Sequence, residues 1–186
     1  CEHLLPVQNN DFDKDFNLFN VQNGYIDLRS GQLIDHDRNN FFTKISNVEF
    51  TDKADCPKWE EFLNDIFLGR QDLIDFIQRA VGYSLSGYTT EQVLFVLHGN
   101  GRNGKSVFIE VLNEIFGNYA TNITPQAIMA SKMGNNSGPT PEIAKLDGAR
   151  FVTTTEPNEG DRFDEGLLKQ ITGGDKISAR ALVKLK

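Results

Sequence analysis

Cysteine is scarce in this 186-residue chain, occurring only as Cys1 and Cys56. The two stand far apart, with no Cys or His at metal-ligand spacing beside them. A disulfide framework and a zinc site are therefore not expected, and a reducing cytosol is the plain reading. Long apolar runs are also missing. None approaches the ~20 residues that cross a bilayer, and no signal-peptide pattern opens the chain, so no membrane association is expected. Positive charge is in deficit, with 19 Lys and Arg against 26 Asp and Glu and a net charge of −7. Residues 1–65 hold 13 acids and 6 bases, while residues 66–186 hold 13 of each. An acidic total argues against a surface that coats nucleic acid everywhere, but leaves room for a local basic element. Residue 1 is Cys rather than Met, which predicts a piece of a longer protein.

What is present is enough apolar material, 39% of residues, for one domain, or one plus a small appendage. Residues 1–17 show no clear period and read as an irregular lead-in. Short apolar runs at Leu18 to Val21, Tyr25 to Leu28 and Gln32 to Ile34 are separated by Asn23-Gly24 and Ser30-Gly31. They predict a small β-meander, ending near Thr43 to Val48. Pro57 suits a first helical turn, and Trp59, Phe62, Leu63, Ile66 and Phe67 share a helical face. After Gly69, Leu73, Ile74, Ile77, Ala80 and Val81 predict a second helix. The expected division is a β-then-α N-terminal domain over 1–90 and a nucleotide domain over 91–186.

The stretch with the most chemistry is Gly99-Asn100-Gly101-Arg102-Asn103-Gly104-Lys105-Ser106. Val93-Leu94-Phe95-Val96-Leu97 before it reads as a parallel strand buried on both faces. Val107, Phe108, Val111, Leu112, Ile115 and Phe116 after it repeat at helical spacing, up to a stop at Gly117. Strand, G-x-x-x-x-G-K-S turn and helix are the context of a phosphate-binding P-loop. Glycines let the backbone curl so that several N–H groups converge on phosphate oxygens, and the new helix turns its positive dipole end to the same anion. Lys105 is expected to reach the β- and γ-phosphates, and Ser106 to supply one Mg²⁺ ligand, which predicts binding of ATP with Mg²⁺.

Residues 121–130 suggest a short helix around Pro125 to Ala130, 131–139 a mobile loop, and Pro141 to Leu146 another short helix. Arg150 to Thr155 is β-rich and runs into Glu156. Ligands of open α/β folds bind at the carboxyl ends of strands, so Glu156 is expected to hold the metal shell or orient the attacking water. Glu159 is a second candidate. Asp161 to Thr172 predicts a helix, stopped by Gly173-Gly174. Ile177, Ala179, Ala181, Val183 and Leu185 then alternate with Ser178, Arg180, Lys184 and Lys186. Residues 169–186 carry five bases against one acid. A strand with a basic face could track a phosphate backbone, or could simply be a half-buried strand with a solvated face.

G-N-G-R-N-G-K-S, A-R-F-V-T-T-T-E and L-L-K-Q-I-T-G-G-D-K-I-S-A-R together resemble the phage- and plasmid-type DNA primase/helicases of helicase superfamily 3. N-G-Y-I-D-L-R-S-G-Q-L and F-I-Q-R-A-V-G-Y-S-L-S-G resemble the domain that precedes the ATPase in those proteins. The resemblance implies an α/β, AAA+-like parallel-sheet ATPase core, here truncated at its C-terminal end. It implies a homo-oligomeric ring, usually a hexamer, with ATP between subunits and single-stranded DNA in the central hole. It further implies a bacterial cytoplasm, and a possible primase domain upstream of Cys1. Gly99, Gly104, Lys105 and Ser106 match the phosphate loop, Glu156 the acidic motif, and Lys169, Gly173 and Gly174 an intermediate motif. Lys184 falls near the family's DNA-contacting hairpin, with Arg180 on the same strand. Thr155 stands where many relatives carry a second acid, so one carboxylate would serve both metal and water.

The chain stops at Lys186, before the family's sensor motif and arginine finger. An arginine finger contributes ~10³–10⁵ in rate, so this piece is expected to bind ATP but hydrolyse it poorly. A P-loop kinase is the alternative, although residues 107–144 carry no Arg and a single Lys, Lys132, where such kinases place lid arginines. A non-catalytic DNA-loading or docking module is the other.

Overall fold

The computed structural model describes residues 11–130, 141–174 and 177. Three short strands, β1 (Leu18–Val21), β2 (Gly24–Asp27) and β3 (Gln32–Ile34), form an antiparallel meander in that order. The first hairpin pairs Val21 with Gly24, so its loop is Gln22-Asn23, one residue earlier than the Asn-Gly pair suggests. Helix α1 (Pro57–Ile66) starts on the expected proline, with Glu60 in its first turn to complement the dipole. Helix α2 (Gln71–Leu85) follows after a short break.

Helix α3 (Lys105–Phe116) begins where the glycine-rich turn ends. A 3-10 turn over Gly117–Tyr119 leads from it directly into β4 (Ala120–Ile123). A short helix α4 (Pro141–Ala144) precedes β5 (Phe151–Thr154), which pairs in parallel with β4 from Ala120↔Phe151 to Ile123↔Thr154. Helix α5 (Glu165–Gly173) starts four residues later than the apolar spacing predicts. The cause is local: the Asp164 carboxylate accepts a hydrogen bond from the Leu167 N–H at 3.0 Å and caps the helix there.

The core joins the meander to the segment after the glycine-rich turn. Phe19, Val21, Phe108, Leu112, Phe116 and Tyr119 are buried together, with Trp59, Phe62, Leu63 and Ile66 packed against them. Phe19 stacks on Tyr119 at 4.8 Å between centroids, Phe116 on Phe151 at 4.8 Å, and Trp59 on Phe108 at 5.8 Å. Each aromatic buried this way contributes roughly 1.5–3 kcal/mol of transfer free energy. Arg150 threads the same region, its guanidinium 4.7 Å from the Tyr119 ring centre and donating to the Leu85 carbonyl at 2.7 Å. Burial pulls its pKa below the ordinary arginine value, opposed by Tyr119, Asp13 and Asp15.

Several expectations need correction. Val93 to Leu97 forms no strand, and all five residues are 42–75% exposed. A parallel strand draws its hydrogen bonds from chain neighbours that are distant in sequence. None of the described strands pairs with this segment, so the apolar run stays outside any sheet and exposed. A complete parallel-sheet core is accordingly not formed by the described residues; the architecture is mixed α/β with a two-stranded parallel sheet. The helix expected around Pro125 to Ala130 is a 3-10 turn at Pro125–Ile128. The expectations for 131–139 and for the alternating strand over 177–185 lie outside the described residues, apart from Ile177.

Candidate functional site

Residues 99–104 form one irregular turn that opens directly into α3, whose first two residues are Lys105 and Ser106. Two positions require glycine. At Gly99 an added Cβ would lie 2.2 Å from the Asn103 amide nitrogen. At Gly104, φ is +80° and a Cβ would meet Ile66 Cγ2 at 2.5 Å and the Phe62 ring at 3.2 Å. Gly104 therefore lets the turn sit directly on α1. Arg102 also has positive φ, at +62°, and its side chain is exposed.

Gly104 is the N-cap of α3, and no side chain caps the helix. The contrast with α5, which Asp164 caps, is chemical: the leading N–H groups of α3 are left for solvent or an anion. Lys105, the first residue of α3, turns back over the turn. Its ammonium donates to the Gly99 carbonyl at 2.7 Å and to Asn103 Oδ1 at 2.9 Å. Ser106 is exposed on the first turn of the helix. Asn100 and Gly101 are exposed at the tip.

The structure thus gathers Gly99, Asn103, Gly104 and Lys105 around one point. Glu156 lies elsewhere in the chain, exposed in the loop two residues beyond β5, with Glu159 further along the same loop. At Gly104 the backbone of the turn approaches Phe62 and Ile66 of α1, and Lys105 bonds back to Gly99 and Asn103 of the turn itself. Topology nevertheless orients the strand ends. Helix α3 returns to the start of β4, β4 and β5 run in parallel, and Glu156 follows their carboxyl ends. Lys169 is exposed on α5, Gly173 ends that helix, and Gly174 follows with φ +74°. Arg180 and Lys184 lie outside the described residues.

Sequence reasoning missed two features. The amphipathic pattern of α1 places Phe62 and Ile66 on an apolar face, but not that this face seats the turn. Asn103 reads as one more loop residue, whereas its side chain touches both ends of the turn.

Residues 1–68 match the family described as "D5 N terminal like". The chain is 28% identical over 175 residues to the protein named "Putative helicase L207/L206" of Acanthamoeba polyphaga mimivirus, covering 92% of this chain and 18% of that protein. It is 32% identical over 131 residues to "Putative helicase 022R" of Frog virus 3 (isolate Goorha), covering 70% of this chain and 13% of that protein. The chain therefore spans less than a fifth of the length of these curated relatives. The family match is confined to the N-terminal third of the chain, and the two relatives, both named putative helicases, align over most of it. No described helix is long and apolar enough to cross a membrane.

Proposed function

We propose that this chain carries the ATP-binding element of a superfamily 3 DNA helicase, with residues 99–106 holding the triphosphate. The observation that supports it most is the Lys105 ammonium, held over a glycine turn at the uncapped start of α3. An anion arriving there would gain several backbone N–H donors, the helix dipole and a full positive charge together. Gly99 and Gly104 keep the backbone free of Cβ atoms at its two closest approaches. Asn100, Gly101 and Arg102 form the rim, the last with an exposed guanidinium.

The donor set suits Mg²⁺. Ser106 offers a hydroxyl and Glu156 a carboxylate, hard oxygen ligands of the kind this ion takes alongside phosphate oxygens and water. Bound there, the ion would neutralise charge on the phosphates. Glu156, on an exposed loop after β5, is the residue we assign to the metal shell and to orienting water. Lys169, Arg180 and Lys184 are assigned to single-stranded DNA, on the strength of the basic C-terminal sequence and of relatives named as helicases. Assembly as a hexameric ring is part of the same reading. A phage or plasmid source and an attached primase domain belong to it as well.

Titration with Mg²⁺ and a non-hydrolysable ATP analogue tests the central claim. Lys105→Ala is expected to weaken binding at least tenfold, the loss of a charge-assisted contact worth about 1.5–3 kcal/mol. Its thermal unfolding should stay unchanged, because the ammonium is a ligand group rather than part of the core. Unaltered affinity in Lys105→Ala would overturn the assignment. For the DNA contacts, Arg180→Ala with Lys184→Ala is expected to weaken single-strand binding and flatten its salt dependence.

A further inference from the structure

Lys105 is held by a partner whose role the motif pattern does not assign. Its ammonium has three donors, and the turn uses two of them, one on the Gly99 carbonyl and one on Asn103 Oδ1. The other end of the Asn103 amide packs against Gly99, so closely that a Cβ on Gly99 would stand 2.2 Å from Nδ2. One planar amide therefore touches the first glycine of the turn and the lysine at its end. We infer that Asn103 is the positioning residue of the phosphate site: it clasps the turn shut and aims Lys105 before a polyphosphate arrives. This inference rests on the ATP-binding reading above and adds a role to a residue that the reading treats only as part of the loop.

The amide is well matched to this task. Both acceptors of the ammonium are neutral oxygens, so Lys105 keeps its full charge for the incoming anion. A carboxylate at 103 would pair with the lysine and face the phosphates with a like charge. An apolar residue would leave the ammonium tethered at one point, free to sweep through rotamers that binding would then have to freeze.

A double-mutant cycle with Mg²⁺ and AMP-PNP as the probe separates positioning from bulk. On the unaltered chain, Asn103→Ala is expected to weaken affinity about tenfold, as one lost hydrogen bond to a charged group would. In the Lys105→Ala background the same change should alter affinity less than twofold, because no ammonium remains to aim. Asn103→Asp should weaken binding more than Asn103→Ala. Gly99→Ala, whose Cβ displaces the amide, should reproduce the Asn103→Ala loss and fail to add to it. A merely structural Asn103 would give the same loss whether or not Lys105 is present, which would overturn the inference. So would affinity within twofold of the unaltered chain for Asn103→Ala, with Lys105→Ala still strongly impaired. Unimpaired Lys105→Ala would overturn the ATP-binding reading and this inference with it. Thermal unfolding of each variant establishes that the comparison is between folded proteins.

Discussion

At the residue scale the sharpest constraint falls on Gly104. Its φ of +80° is a conformation L side chains rarely adopt, and the space for a Cβ is taken by Ile66 Cγ2 at 2.5 Å. Gly104→Ala therefore meets two separate penalties, backbone strain of about 1–2 kcal/mol and a collision with α1. Ile66→Ala would relieve only the second. We expect Gly104→Ala to lower both thermal stability and nucleotide affinity. The Gly104→Ala, Ile66→Ala double variant should be less destabilised than the sum of the singles by about 1 kcal/mol. Denaturant titrations of the four proteins measure this; strict additivity would show that the turn does not rest on α1. Half of this arrangement was legible in advance. The glycine positions follow from the spacing, since G-x-x-x-x-G-K-S marks where a backbone must bend. The Ile66 seat and the Asn103 clasp were not, because they depend on which surface arrives from 40 residues upstream or on one rotamer.

At the element scale, periodicity served where an element's pattern is local. The meander's strands, α1, α2 and α3 follow from turn residues and apolar spacing, although the last strand ends at Ile34 and the expected continuation to Thr43 to Val48 forms no strand. It failed in both directions for parallel strands. Ala120–Ile123 is too short and too mixed to announce itself, and becomes β4 only because β5 pairs with it from 31 residues away. Val93 to Leu97 announces itself strongly and finds no partner strand among the described residues. The turn before β4 carries a consequence for pH. Tyr119 is buried between β1, α3 and Arg150, and its hydroxyl accepts the Asn20 N–H at 3.3 Å. Burial raises its pKa above the ordinary value, against the Asn20 hydrogen bond and the Arg150 charge, which lower it. The folded state thus holds the phenolic proton more tightly than the unfolded chain. The resulting stability is complete below about pH 10, the unfolded value, and is lost as pH rises through the folded one. Tyr119→Phe should be about 1 kcal/mol less stable at pH 8, where it leaves the Asn20 N–H unpaired, and the gap should close above pH 10. Urea unfolding at both pH values checks this; a gap that does not narrow would contradict it.

At the scale of the whole molecule, two opposed tendencies meet at the 93–97 segment. Val93, Leu94, Phe95, Val96 and Leu97 are each at least 42% exposed, and Val96 reaches 75%. Only part of the run is sheltered, for instance where the Phe95 ring meets Phe76 edge-on at 6.2 Å. An exposed apolar run outside the described sheets offers both side chains and main-chain groups to another molecule, much as an unpaired strand edge does when it templates association. Against this stands the net charge of −7, whose excess lies wholly within residues 1–65 and repels like copies at low ionic strength. Salt removes the repulsion over distances beyond about 8 Å at physiological strength, but leaves the apolar attraction intact. The 186-residue chain should therefore associate as its concentration rises, and more strongly in high salt than in low. Val96→Lys places a charge at the most exposed position of the run and should suppress that association without lowering the thermal midpoint, since this side chain packs little. Sedimentation velocity across a concentration series at two salt levels measures both effects. Association that weakens with added salt would identify charge pairing as its cause, and insensitivity to Val96→Lys would locate the contact elsewhere on the surface.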